Sequence, residues 1–386
     1  MKIVFTGGGT GGHFYPIIAV AEELRRISRE RRLLAPKLYY IAPSAFDMEA
    51  LFENEIQFES CPAGKVRRYF SIQNFTDLFV TATGYFMALG SLFRIYPDLV
   101  FSKGGYASVP VVLAAKTLGI PVMIHESDAK PGRANLMASK FAFRIATAFE
   151  SAAVFFPEKV RSKIARTGIP IRSEIMRLEP EGARQELGLD TSVPTVLILG
   201  GSSGARAIND VVLASLPELL EVANIIHQTG KDNFVEVERT AKVIAEKSPY
   251  IARYHPFPYL NTLSMRRSAG AADLIISRAG MTAVAEIALW KKPAILIPIP
   301  EAISHDQRTN AYAYAHTGAA VVLEEANLTP NILASEVRRI TGDPALRKTM
   351  SENGALFANA DAATIIAEEM IAIGLSHEPQ TPEEVV

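Results

Sequence analysis

Ile3-Val4-Phe5-Thr6-Gly7-Gly8-Gly9-Thr10-Gly11-Gly12-His13 is the stretch that decides how this chain is read. A short apolar strand runs into five glycines and a threonine, and a histidine closes the loop. Helical periodicity follows from Pro16 to Arg26, with Pro16 suited to a first turn. Glycines let backbone N–H groups approach a ligand with no side chain in the way. A helix N-terminus behind them carries roughly half a positive charge. Such a loop is built to face something anionic or strongly polar.

Two common cofactor readings weaken on the residues that follow. Gly7, Gly9 and Gly12 fit the spacing of a dinucleotide fingerprint, which also wants a carboxylate at the end of the second strand. That strand is predicted at Lys37 to Ala42, and Pro43-Ser44 come next. A phosphate-binding P-loop needs Lys and then Ser/Thr after its last glycine. Here His13-Phe14 stand in that place.

The chain has 386 residues, enough for two domains. At 48% hydrophobic and 21% charged it has the balance of a soluble globular protein. A net charge of −1 gives no overall attraction to nucleic acid, and none is expected as a partner. The single cysteine, Cys61, excludes an internal disulfide and a cysteine metal cluster and fits a reducing cytoplasm. The chain starts directly on a strand, so a signal peptide is not expected. Ile72 to Ile95 is apolar but broken by Gln73, Asn74 and Asp77, and is not expected to span a membrane.

Apolar strand-like runs alternate with helical patterns, which predicts a parallel α/β architecture. Two stretches resemble each other. Leu99-Val-Phe-Ser-Lys103-Gly104-Gly105 precedes a helix near Val109 to Leu118 and a strand from Pro121 to His125. Leu274-Ile-Ile-Ser-Arg278-Ala279-Gly280 precedes a helix near Thr282 to Trp290 and a strand from Ala294 to Pro298. The opening loop has its own counterpart, Gly200-Gly201-Ser202-Ser203-Gly204, after the strand Thr195 to Leu199. The pattern is two doubly wound halves with polar loops at strand C-terminal ends, where ligands of such sheets bind. Gly168-Ile169-Pro170-Ile171-Arg172 reads as the linker.

The order and spacing of these segments resemble the MurG family of peptidoglycan glycosyltransferases. The likeness includes Gly8 to His13, Ser102 to Tyr106, His125-Glu126-Ser127-Asp128, Thr167 to Arg172, Gly200 to Arg206, His227 to Gly230, Ser277 to Gly280, Glu286 and Asp306-Gln307. It implies a GT-B fold, two doubly wound Rossmann-like domains facing across a cleft. The domains expected are 1–168, on the acceptor and membrane side, and 169–360, binding UDP-GlcNAc. A helix at 361–374 is expected to pack back on the first, with a disordered tail at 375–386. The implied reaction is inverting transfer of GlcNAc from UDP-GlcNAc to the C4 hydroxyl of MurNAc in undecaprenyl-diphosphate-linked lipid I, giving lipid II. No cofactor and no metal are expected, since no Asp-x-Asp pair is present to hold one.

The resemblance also implies roles. Thr10, Gly11, Gly12, Asp128, Arg172, Ser202, Met281, Thr282, Glu286 and Gln307 match positions that bind the nucleotide sugar. Arg172 suits a diphosphate because guanidinium grips two oxygens at once. Glu286 matches a carboxylate that accepts from ribose hydroxyls. The base that takes the acceptor proton is left between two groups. His13 has the pKa range for it, but a histidine at a helix start also serves as a cap. Glu126 is the rival, and His125 is the group that orients the loop. Where members of the family often read His-Glu-Gln-Asn, this chain has Asp128 in place of the amide, which removes a donor. The residue packing on uracil is left open within Phe257 to Leu260.

Lys65, Arg67 and Arg68 precede Phe75, Leu78, Phe79, Ala82, Phe86 and Leu89 at helical spacing, and Arg94 follows. Such a stripe is either core or, with its basic rim, a monotopic contact with an anionic leaflet. The lipid acceptor implies attachment to the cytoplasmic face of the plasma membrane, and cell-wall or division proteins as further partners. Two other activities stay open at this point: a related transferase acting on diacylglycerol, and a non-catalytic nucleotide-sugar-binding scaffold.

Overall fold

A computed structural model describes residues 1–376 except Gly9, 66–72, 202–203 and 302–304, and for 73–75 and 305–306 only the backbone. The chain divides into two compact units, 1–172 with 359–386, and 173–358.

The first unit holds β1 (Lys2–Thr6), β2 (Lys37–Ala42), β3 (Ile56–Ser60), β4 (Leu99–Ser102), β5 (Val122–Glu126), β6 (Arg144–Thr147) and β7 (Ile164–Arg166). They form one sheet in the order β3-β2-β1-β4-β5-β6-β7, every pair parallel. Strand alternation sends Ile3 and Phe5 to one face and Val4 to the other, and all three are fully buried. One face packs on the helix Gly11–Glu30 through Ile17, Val20 and Leu24. The other packs on Leu92, Val111 and Val112. Burial on both faces is why these strands read as unbroken apolar runs.

The second unit holds β8 (Thr195–Leu199), β9 (Asn224–Gln228), β10 (Tyr254–Phe257), β11 (Leu274–Ser277), β12 (Ala294–Leu296) and β13 (Ala320–Val322). Their order is β10-β9-β8-β11-β12-β13, again all parallel. In each sheet the order reverses beside the first strand of the unit, between β1 and β4 and between β8 and β11. The four quoted strand-end loops follow these four strands.

Two sequence expectations shift. The first helix starts at Gly11, not Pro16. Its N-terminal glycines adopt helical geometry, and Pro16 lies in the second turn, where it lacks only the N–H that would reach Gly12. The crossing to the second unit lies after Arg172 and not at Gly168. Asn359 Nδ2 donates to the Thr167 carbonyl at 2.7 Å, and Ile169 and Ile171 are buried, so this segment is tied into the first unit. The helix Ala362–Leu375 also belongs to that unit, with Ile366 and Met370 in its core. Residues 377–386 lie outside the description.

Candidate active site

In the first unit β1 and β4 end side by side. Gly7 has φ +143°, and a Cβ there would stand 2.9 Å from Lys103 Cβ, so the residue must be glycine for both reasons. Tyr40 OH closes the loop from below by donating to the Gly7 carbonyl at 2.5 Å. Thr10 is the N-cap of the helix, but its hydroxyl contacts His13 Nδ1 at 3.0 Å and makes no capping bond to the backbone. The hydroxyl can give or take the proton at Nδ1; the other ring nitrogen, Nε2, lies 3.5 Å from the space a Gly105 side chain would fill. His13 is half-buried; desolvation, reinforced by the Lys103 charge, brings its pKa down to about 4. Thr10 and Gly12 are exposed, and Gly11 is half-buried.

Glu126 closes β5 and is almost fully buried. One of its oxygens accepts from Asp128 N at 3.0 Å, the other from Gly132 N at 3.0 Å and Asn135 Nδ2 at 2.9 Å. Burial pushes its pKa up, and these three donors and Lys103 pull against that. The carboxylate thus staples the 127–132 loop and sets where Asp128 starts. His125 uses both ring nitrogens, meeting the Gly168 carbonyl at 2.8 Å through Nε2 and Lys103 Nζ at 2.6 Å through Nδ1. Arg172 lays its guanidinium over the Tyr15 ring, 4.3 Å from the centroid. Stacking uses the face of the guanidinium and leaves its in-plane N–H groups to other partners.

In the second unit the loop after β8 is held by Gln228. Its Nε2 donates to the Gly201 carbonyl at 3.1 Å, and its Oε1 accepts from Leu260 N at 3.2 Å. One carboxamide therefore fixes both the glycine loop and the 258–261 turn. Ser202 lies outside the described residues. Leu260 is buried, which leaves Phe257, Pro258 and Tyr259 as the accessible residues of that turn. The helix Met281–Leu289 starts directly after Gly280. Met281 is buried under its first turn, and Thr282 and Glu286 share the half-buried face one turn apart. Gln307 Oε1 accepts from Ile299 N at 3.2 Å, so its NH2 group is the end left for a ligand. Beside Ile299 a cavity of about 300 Å³ is lined by Pro298, Pro300, Glu301, Arg308 and Glu324.

The helix Gln73–Ile95 packs on the first unit through one face. Ala88, Leu92 and Ile95 are buried, whereas Leu78, Phe79, Phe86, Met87 and Phe93 are exposed. A Cβ on Gly84 would stand 1.8 Å from the Pro62 carbonyl oxygen, so the helix docks through bare backbone. By length and composition Thr76–Ile95 could cross a membrane, but its buried face belongs to the core of the first unit. Of the basic rim, Arg94 pairs with Glu59 at 2.6 Å and Lys65 sits over the Tyr106 ring at 5.1 Å. Arg67 and Arg68, and the side chain of Phe75, lie outside the described residues. Lys103, Tyr15 and Gln228 were given no role from sequence. Each acts on a partner far along the chain, and no local pattern carries that signal.

Two doubly wound parallel sheets with glycine-rich loops at both switch points are the architecture of the GT-B fold class. Residues 3–147 match the glycosyltransferase family 28 N-terminal domain, and residues 195–366 the family 28 C-terminal domain. The chain belongs to glycosyltransferase family 28. It is 36% identical over 388 residues to the UDP-N-acetylglucosamine--N-acetylmuramyl-(pentapeptide) pyrophosphoryl-undecaprenol N-acetylglucosamine transferase of Treponema denticola, covering 95% of this chain and 96% of that one. The protein of the same name from Clostridium kluyveri is 37% identical, over 88% and 91%. Among solved structures, Acinetobacter baumannii MurG matches with TM-score 0.73 and 26% identity, over 96% of this chain and 99% of that one.

Proposed function

We propose that this chain transfers GlcNAc from UDP-GlcNAc to the C4 hydroxyl of MurNAc in undecaprenyl-diphosphate-linked lipid I, giving lipid II for peptidoglycan. The observation that carries the reading is likeness to transferases named for that reaction over about nine-tenths of both chains. The acceptor oxygen attacks C1 of GlcNAc from the face opposite UDP. The C1–O bond to the diphosphate breaks, UDP leaves with that electron pair, and the configuration inverts. The acceptor proton goes to His13 Nε2.

The choice of His13 over Glu126 rests on availability. Glu126 already accepts three hydrogen bonds with its two oxygens. His13 is neutral at pH 7, and the lipid diphosphate arriving beside it raises its proton affinity. Thr10, Gly11 and Gly12 present helix N-terminal dipole to the substrates, and Asp128 accepts from a sugar hydroxyl. On the donor side Ser202, Arg172 and the loop N–H groups oppose the charge that grows on the leaving diphosphate. Glu286 accepts from the ribose, with Met281 and Thr282 framing it, and Gln307 reads the sugar. The exposed face of Gln73–Ile95, with Lys65, Arg67, Arg68, Phe75, Phe79, Phe86 and Arg94, rests on the anionic inner leaflet, so the enzyme is peripheral. Purified protein should release UDP from UDP-GlcNAc only when lipid I is added. Folded, donor-binding protein that releases none would overturn the reading.

A further inference from the structure

Lys103 is a buried cation with no part in the steps above. Only 3% of it is exposed. Its backbone N–H donates to the Thr6 carbonyl at 2.9 Å, and its stem fills the space beside Gly7. Its ammonium contacts His125 Nδ1 at 2.6 Å and Ser127 Oγ. The Gly168 carbonyl can only accept, so His125 Nε2 carries the proton and Nδ1 is bare toward Lys103. The chain of contacts therefore runs from the opening glycine loop through Lys103 and His125 to Gly168, one residue beyond the Thr167 carbonyl that Asn359 holds.

A bare buried ammonium is costly, so its retention calls for a reason. The titratable groups that face it are His125 and Glu126 on β5, Asp128 in the following loop and His13 on the first helix. The two carboxylates stabilise the cation, and the two imidazoles are discouraged from taking protons by it. Building on the transfer reading above, we propose that Lys103 is a positioning residue of the acceptor-side site: its ammonium fixes the His125 tautomer and ties the His125–Ser127 strand end to the segment that leaves the first unit. Burial brings the lysine down to about 8, with Glu126 and Asp128 opposing the fall, so the device fails in mildly alkaline solution.

The test compares full-length wild type with Lys103→Met and Lys103→Arg. For wild type, kcat falls as pH rises through about 8. Lys103→Met lowers kcat at pH 7 by about tenfold or more, as loss of a histidine-orienting partner does, leaves KM for UDP-GlcNAc within about twofold, and has no such alkaline fall. Lys103→Arg moves the fall to higher pH, since guanidinium stays charged. An alkaline fall unchanged in Lys103→Met overturns the proposal. A second readout needs no turnover. In protein carrying ¹⁵N-labelled histidine, ring-nitrogen shifts report tautomer and titration directly. In folded Lys103→Met at pH 7 the His125 Nδ1 resonance moves away from its hydrogen-bonded position, since the ammonium that meets it is gone; an unmoved resonance overturns the proposal. Wild type without lipid I-dependent turnover would defeat the transfer reading alone, and the His125 resonance would still judge Lys103.

Discussion

At His13 the decisive atom is Nε2. On the proposed transfer, the contact with Thr10 occupies Nδ1 and leaves Nε2, which faces Gly105, as the nitrogen to take the acceptor proton. His13→Ala should lower kcat by about 10²–10⁴-fold, the usual worth of a positioned base. The Kd for UDP-GlcNAc, measured by calorimetry, should stay within about twofold; matched losses in both would reduce His13 to a positioning role. The glycine loop itself was legible because its chemistry is local: seven adjacent residues and the following helix suffice. The partners of His125 were not. Lys103 and Gly168 lie 22 and 43 residues from it along the chain, and only the placing of β4 beside β5 brings the lysine to the imidazole. Arg172 was read as a diphosphate ligand from the family resemblance, and its stacking on Tyr15, which depends on where the linker runs, was not read at all.

Among elements, the helix Gln73–Ile95 has one buried face and one exposed apolar face. Periodicity alone left its stripe divided between core and membrane, because both want apolar residues at the same spacing. Packing separates them: the small and aliphatic residues Gly84, Ala88 and Leu92 are buried, and the bulkier Phe79 and Phe86 are 66% and 69% exposed. The double variant Phe79→Ser, Phe86→Ser should therefore bind vesicles containing anionic phospholipid about tenfold less well or worse, since each removed ring forfeits apolar transfer energy. Its melting temperature should stay within a few degrees of wild type, as exposed substitutions cost little. Co-sedimentation with vesicles and a thermal melt check the two halves separately. A melt that drops sharply with vesicle binding retained would return these rings to a structural role.

At the scale of the whole molecule, burial lowers the pKa of four histidines among the described residues, His13, His125, His227 and His255. His227 in the second unit is fully buried between Tyr254 OH and Asn209 Oδ1, each at 3.0 Å, and desolvation brings it to about 3. His13 stands at about 4, and His125 well below its ordinary value. Once unfolded, each takes a proton near pH 6.5. The unfolded chain therefore binds more protons between that pH and the folded values, and stability is lost as pH falls through the window. Each group adds up to about 1.4 kcal/mol per pH unit. Denaturant melts from pH 7 to 4.5 should show the decline, and His227→Gln should make it shallower.

The connection between the units carries a second expectation. Ile366 and Met370, on the helix Ala362–Leu375, fill the core beside the first helix of the chain, and Thr364 Oγ1 bonds Glu23 at 2.7 Å. A chain stopped after Ala358 should lose the cooperative melting of the first unit and keep that of the second, whose 173–358 core is complete. Differential scanning calorimetry would resolve the two transitions. The return of the last helix to the first sheet also sets an order of events on the ribosome. Domains ordinarily fold as they emerge, the N-terminal one first. The helix Ala362–Leu375 is made after the whole second unit, so the first sheet keeps one apolar face uncovered while the second unit already has its own core.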